Sequence, residues 1–200
     1  GIPKSMGLSN DGDYFWVGTR DGKLYRLSNM NQAQDSLSAD ITSDQCKIIT
    51  TEVLNFAGRV VTSIAVYPQN NDHVIVTLGN YGNDEYVYRS TNATSDDPEF
   101  LSVQGNLPKM PIYSSLIEMK NSNIAMLGTE MGIFTTTNLN ASQVVWIPQN
   151  GSMGEVTVVQ LKQQLINIPS VTVPIDSINS ETFPGTDNYG RIYAATFGRG

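Results

Sequence analysis

Residues Asn123–Asn138 read Asn-Ile-Ala-Met-Leu-Gly-Thr-Glu-Met-Gly-Ile-Phe-Thr-Thr-Thr-Asn. An apolar run reaches Gly128 and Thr129, turns through Glu130, Met131 and Gly132, and leaves as a second run ending at Asn138. Two short runs divided by a Gly-bearing turn are a hairpin signal. Tyr14–Asn29 repeats the pattern as Tyr-Phe-Trp-Val-Gly-Thr-Arg-Asp-Gly-Lys-Leu-Tyr-Arg-Leu-Ser-Asn. Val74–Asn92 is a looser copy, with Gly79 and Asn80 before a longer turn and Tyr86-Val-Tyr-Arg-Ser-Thr-Asn after it. A fourth copy opens at Arg191 as Arg-Ile-Tyr-Ala-Ala-Thr-Phe-Gly-Arg-Gly. Recurrence of this kind marks a repeat architecture, and settling it settles the fold.

Each copy is preceded by another short apolar or alternating run: Ser5–Ser9, Val60–Tyr67, Ile112–Met119 and Val156–Leu161. Turn formers join the first three of these runs to the copy that follows: Asn10-Asp-Gly-Asp, Gln69-Asn-Asn-Asp and Asn121-Ser. Asn, Asp and Gly tolerate the left-handed backbone that tight turns require. A further strand candidate follows each full copy: Lys47–Leu54, Glu99–Val103 and Val144–Pro148. The unit is therefore four strands, A to D, and equivalent positions such as Val61, Tyr113 and Thr157 recur about every 40–50 residues, the signature of a β-propeller blade. The expected fold is all-β, one partial propeller of about three and a half blades over 4–54, 60–106, 112–149 and 156–200. Three and a half blades leave unpaired edges, so the reading expects a larger ring, completed by the rest of a parent chain or by a second copy. The stretch 165–190 interrupts blade four. Its length points to a functional or disordered loop, and its three prolines exclude a central strand while leaving room for an extra hairpin.

Bulk properties narrow the function classes. The 200 residues carry a formal net charge of −7, which argues against nucleic acid, whose binding needs a basic footprint. Cys46 is the single cysteine, so no internal disulfide forms, and it reads as a packed residue. No apolar run approaches the roughly 20 residues that span a bilayer, and no signal peptide is expected within these residues.

Three stretches resemble the Asp-box (BNR-type) propellers, including sortilin-like and xyloglucanase-type members. That family's pattern is Ser-x-Asp-x-Gly-x-Thr-Trp at the turn from strand C to D. Thr136-Thr-Asn-Leu-Asn-Ala-Ser-Gln-Val-Val-Trp146 is similar to it, with Asn138 in the Asp position and Trp146 in the Trp position. Ser90-Thr-Asn-Ala-Thr94, followed by Phe100, is a weaker copy, and Ala194–Gly200 resembles the last blade of such propellers. The box clamps a hairpin and is structural in the family. The resemblance implies an extracytoplasmic protein, as in secreted Bacteroidetes, that recognises carbohydrate or protein, or else a fragment of a glycoside hydrolase. Asp35-Ser-Leu and Asp176-Ser-Ile resemble the short O-glycosylation signal of such proteins, and Asn92, Asn140 and Asn150 begin Asn-x-Ser/Thr triplets.

By analogy with this fold, B-to-C turns and D-to-A loops share the end where ligands sit. That selects Arg20 and Asp21, Tyr81 to Glu85, Glu130 and Met131, and Phe197 and Arg199 from the turns. From the loops it selects Asn55 to Arg59, Asn106 to Met110 and Asn150 to Glu155. The ligand-binding candidates are Arg20, Asp21, Arg59, Tyr81, Glu130, Phe197 and Arg199, with Tyr81 and Phe197 offering stacking faces. The same residues also read as a solvated loop set, since most loop charges only face water.

Glycoside hydrolysis needs two carboxylates about 5–10 Å apart. Asp21, Asp84, Glu85, Glu130 and Glu155 are candidates, but their spacing selects no pair and the catalytic residues stay unassigned. His73, the single histidine, falls beside an A-to-B turn, away from the ligand end, and reads as structural. Asn10-Asp-Gly-Asp lacks EF-hand spacing, no Cys/His cluster suits zinc, and Gly18–Gly22 lacks the Lys-Ser/Thr of a phosphate loop. No metal or other cofactor is expected.

Overall fold

The computed structural model describes residues 1–198. It is an all-β partial propeller. The first blade is the antiparallel sheet β1 (Pro3–Leu8), β2 (Phe15–Thr19), β3 (Lys23–Ser28) and β4 (Ile49–Asn55) in that order. The second is β5 (Val61–Tyr67), β6 (Asn70–Leu78), β7 (Val87–Ser90) and β8 (Leu101–Ser102). The third is β9 (Ile112–Ile117), β10 (Ala125–Thr129), β11 (Gly132–Thr136) and β12 (Ile147–Pro148). A separate hairpin, β14 (Val171–Pro174) with β15 (Ser180–Phe183), is inserted between β13 (Val158–Gln163) and β16 (Ile192–Thr196), which pair as a two-stranded fourth sheet. The one α-helical turn among the described residues, α1 (Ser36–Ala39), sits in the β3–β4 loop, where the Asp35 carboxylate caps the amides of Leu37 and Ser38.

The first strand of each sheet is the innermost: β1 packs beside β5, β5 beside β9, and β9 beside β13. Hydroxyls tie these strands across the blade boundaries. Ser5 Oγ donates to the Val61 carbonyl at 2.8 Å, Thr62 Oγ1 to that of Ile112 at 2.5 Å, and Ser114 Oγ accepts from Leu161 N at 2.8 Å. Apolar side chains fill the space between sheets. Trp16 and Leu24 pack with Val61, Ile64 and Val76, while Ile75 and Val87 pack with Ile112, Leu127 and Trp146. Covered on both faces, β6 buries Val74 to Leu78 without a break, which explains its continuous apolar run.

The repeated x-Gly-Thr has a specific job at two positions. A Cβ on Gly18 would overlap the Val61 side chain, and one on Gly128 would lie 2.8 Å from the Val158 carbonyl. Glycine here lets the next blade's inner strand approach. The threonine then staples the β-turn: Thr19 Oγ1 accepts from Lys23 N at 2.9 Å, and Thr129 Oγ1 donates to the Gly132 carbonyl at 2.9 Å. Strand pairing puts Thr77, not Gly79, at the equivalent place in blade two, opposite Ser63 as Gly18 is opposite Ser5.

An arginine bracket crosses the first two blade boundaries. Arg26 on β3 donates through Nη1 to the carbonyls of Ala93 and Ser95, at 2.7 and 2.8 Å. Arg89 on β7 donates to the Leu139 carbonyl at 2.9 Å and Asn140 Oδ1 at 3.1 Å. Each reaches the strand C-to-D loop of the next blade, and those loops are clasped alike. Asn92 Oδ1 accepts from Ser90 Oγ (3.1 Å) and Glu99 N (2.9 Å), and Asn138 Oδ1 accepts from Thr136 Oγ1 at 2.7 Å. Behind them Trp146 is buried, with Nε1 donating to the Val103 carbonyl at 2.8 Å, and Phe100 meets Trp16 edge-on at 6.4 Å.

Candidate ligand-binding end

Antiparallel order sends the β2–β3, β6–β7 and β10–β11 turns to one end, together with the loops 56–60, 103–111 and 149–157. Hydrogen bonds hold them as one rim. Gly58 N donates to the Asp21 carbonyl at 3.0 Å, Val60 N to Asn80 Oδ1 at 2.8 Å, and Asn150 Nδ2 to the Met131 carbonyl at 2.9 Å.

The inner strands prepare this end in the same way in all four sheets. Each has one bulged residue that skips the pairing with its neighbour: Lys4, Thr62, Tyr113 and Val159. Bulges re-aim side chains and concentrate near functional sites. Here the four residues line one open recess of about 440 Å³ between the inner strands.

Bonded to Tyr113 of this lining, the Glu130 carboxylate accepts two phenol hydrogen bonds on the same oxygen, Oε1. One comes from Tyr113 Oη at 2.6 Å and the other from Tyr81 Oη. Glu130 belongs to the blade-three turn, Tyr113 to its inner strand and Tyr81 to the blade-two loop, so the cluster bridges two blades. The hydrogen bonds from Tyr113, then Tyr81, hold the Glu130 carboxyl below the usual carboxylate range. Burial and the bond to Glu130 push the Tyr113 phenol above its ordinary range, and the bond to Glu130 does the same for Tyr81. The cluster is thus an ionised carboxylate between two neutral phenols. Tyr81 keeps 65% of its surface exposed, so its ring face is open to solvent.

The remaining rim residues are spread out. Arg20 is exposed on the blade-one turn, its amide donating to the Ile2 carbonyl at 2.9 Å. Asp21 beside it is exposed, and the Thr19 hydroxyl is the first cause lowering its pKa. Arg59 lies 4.8 Å over the Tyr86 ring and donates to the Glu85 carbonyl at 2.5 Å, so its charge is spent bracing the loop. Phe197 is 79% exposed, and its backbone amide donates to the Thr157 carbonyl at 2.8 Å. Arg199 lies outside the described residues. Of the candidates, then, Tyr81 and Glu130 touch. Tyr113, Lys4, Thr62 and Val159 escape sequence reasoning, because a bulge in an inner strand leaves no local signature.

Asp84 is paired with Lys109 at 2.6 Å on the exposed rim, which lowers its carboxyl pKa. Asp21, Asp84 and Glu130 are therefore all ionised near neutrality, whereas a glycosidase acid needs a carboxyl pushed upward. His73 lies at the opposite end, stacked on Tyr67 at 5.9 Å, with burial the first cause lowering its pKa. Among the described residues no group of three His, Cys, Asp or Glu is placed to hold a metal ion. No helix there is long and apolar enough to cross a membrane.

No protein-family model and no curated protein matches the chain. Solved structures do. A GH74 enzyme of Niastella koreensis matches with a TM-score of 0.50 at 15% identity, over 98% of this chain and 28% of its own. The GH74 xyloglucanase of Xanthomonas campestris matches with a TM-score of 0.52 at 15% identity, over 98% of this chain and 30% of its own. An ancestral GH74 enzyme matches with a TM-score of 0.53 at 17% identity, over 90% of this chain and 25% of its own. These likenesses are of fold: the chain spans between a quarter and a third of the length of the structures it matches.

Proposed function

We propose that this chain is part of a larger extracytoplasmic propeller and that its rim recognises a polysaccharide. The observation that carries the reading is the exposed Tyr81 ring, fixed by the Glu130 carboxylate beside a recess that Tyr113 lines. A tyrosine ring is a large amphipathic face with few rotors, and one already held in place loses little entropy on binding. The free lone pairs of the carboxylate accept sugar hydroxyls, which are donors of matching size. The fold likeness to a structure called a xyloglucanase makes a neutral β-glucan with short branches the first ligand to test. Calorimetric titration with xyloglucan oligosaccharides is expected to give binding that weakens about tenfold in Tyr81→Ala, the scale of losing one aromatic anchor. Equal binding by Tyr81→Ala and the natural chain would reject the rim as the site.

A second reading rests on the same likeness: the chain supplies one wall of a glycoside hydrolase whose proton-donating carboxyl lies in another part of the protein. Release of reducing sugar by the parent protein, lost in Glu130→Gln, would favour it over recognition alone.

A further inference from the structure

The recess below Glu130 has a charge pattern opposite to that of the chain. The sequence carries 19 acidic residues against 12 basic, yet no Asp or Glu lines the recess, while Lys4 and Lys162 both do. Three of the chain's other lysines spend their charge elsewhere. Lys23 pairs with Glu52 at 2.9 Å, Lys109 with Asp84 at 2.6 Å, and Lys120 lies 5.5 Å over the Tyr189 ring. Lys4 and Lys162 have no ion-pair partner among the described residues, and both are exposed. They sit on the first and fourth inner strands and reach the same space, with the hydroxyl-bearing Thr62, Ser63 and Ser115 between them. Farther along, the trench is of mixed character, with Met6, Leu8, Val66 and Leu165 beside Ser115 and Gln163, and Lys162 borders that half too. The acid bonded to the lining residue Tyr113, Glu130, has its Oε1 already engaged by two phenols.

From this juxtaposition we infer that the axial recess takes an anionic substituent, the carboxylate of an acidic sugar unit, on a saccharide whose neutral part stacks at Tyr81. The inference rests on the carbohydrate reading of the rim and adds the charge of the ligand. The two lysines border the recess from separate inner strands, so an anion held there has a cationic side chain on either side. Of the hydroxyls there, Thr62 is committed to the Ile112 carbonyl, and Ser63 and Ser115 hydrogen-bond each other at 3.1 Å, which leaves that pair one proton to offer a ligand. Because both lysines are exposed, each contributes only the modest energy of a solvent-screened pair, and the contribution falls with salt.

The test compares an oligogalacturonate, a neutral xyloglucan oligosaccharide and polyglutamate by calorimetry at low and high salt. It uses the natural chain, Tyr81→Ala, and the double variant Lys4→Gln/Lys162→Gln. Both lysines are exposed, so the double variant is expected to keep the fold, which a melting curve checks. The expected result is that the acidic saccharide binds about tenfold tighter than the neutral one at low salt. High salt or the double variant erases that advantage, while Tyr81→Ala weakens both saccharides. If the two saccharides bind equally, with no effect of salt or of the lysine variant while Tyr81→Ala still weakens both, the inference is overturned and the rim reading stands. If only polyglutamate binds, the recess is a protein-docking site and the inference is overturned. If none of the three binds, the carbohydrate reading itself falls and this inference with it.

Discussion

The boundary between blades one and two and the boundary between blades three and four use the same positions for different ends. Strand pairing matches Trp16 with Met126, Leu24 with Ile133, and Arg26 with Thr135. At the first boundary Trp16 and Leu24 are fully buried and Arg26 brackets the next loop. At the last, Met126 and Ile133 are only half-buried and Thr135 lines a shallow apolar groove with Ile124 and Gln149. Among the described residues, blade two presents four strands to blade one, whereas blade four presents two to blade three. The lesson is that a repeat fixes where a side chain points, but the neighbour decides what it is worth. Inner strands keep the same bulge at every blade, because each still meets its neighbour around the axis.

Mutations can break or sharpen this comparison. The largest effect is expected at Trp146, buried and bonded to Val103 across the second boundary. Trp146→Ala should cost about 3–5 kcal/mol in urea unfolding, the range for emptying a packed aromatic site. Leu24→Ala should cost about 2–4 kcal/mol, and its register-mate Ile133→Ala roughly 1 kcal/mol, because Ile133 has less surface to lose. Equal losses at the two positions would contradict the account of the boundaries. Arg89→Met comes next, at about 1–2 kcal/mol, since it strands the Leu139 carbonyl without its donor. Replacing the hairpin 171–183 by a short Gly-Ser loop should change stability by less than about 0.5 kcal/mol, because both its strands are exposed along their whole length.

The rim adds a pH test. Glu130 has a folded pKa below its unfolded value, so its contribution is present above the ordinary carboxylate range and is lost as pH falls through the lowered value. Tyr113 has a folded pKa above its unfolded value, so its contribution is present below the ordinary phenol range and is lost as pH rises toward the raised one. Ligand binding at the rim should therefore be flat between about pH 6 and 9, falling below about pH 4 and above about pH 10, while stability starts to decline already below about pH 6.5, where unfolding lets the half-buried His73 take up a proton. Glu130→Gln should remove its share of the acid limb, which thermal melts across pH will read against the natural chain, the rest being carried by carboxyls such as Asp11 and Asp35 whose pKa is also lowered.

Much of this fold was legible in the chain. The Gly-Thr repeats at Gly18-Thr19 and Gly128-Thr129 announce themselves because their constraints are local: a close approach and a stapled turn. The blade-two copy was harder, since Thr77 does the work of glycine there and Gly79 lies beyond the strand. Strand D was expected at 47–54, 99–103 and 144–148, and in blades two and three it is shorter, because Asn92 and Asn138 clasp the loop over part of that stretch. The Arg26 and Arg89 brackets span 50 or more residues, so no local pattern could reveal them. At the site, loop logic reached Tyr81 and Glu130. It missed Tyr113, which reads as an ordinary strand residue until the bulge turns it to the recess. Arg20 and Phe197, selected by the same logic from the turns of blades one and four, take no part in the Tyr81–Glu130–Tyr113 contact.

The most direct test of the central claim, that the rim is the recognition end, is amide hydrogen exchange with and without a xyloglucan oligosaccharide at saturating concentration. Slower exchange is predicted at 79–86, 112–114 and 129–132, with no change at the opposite turns 68–73 and 118–124. Protection at those opposite turns or on the hairpin 171–183, with the rim unchanged, would contradict the account.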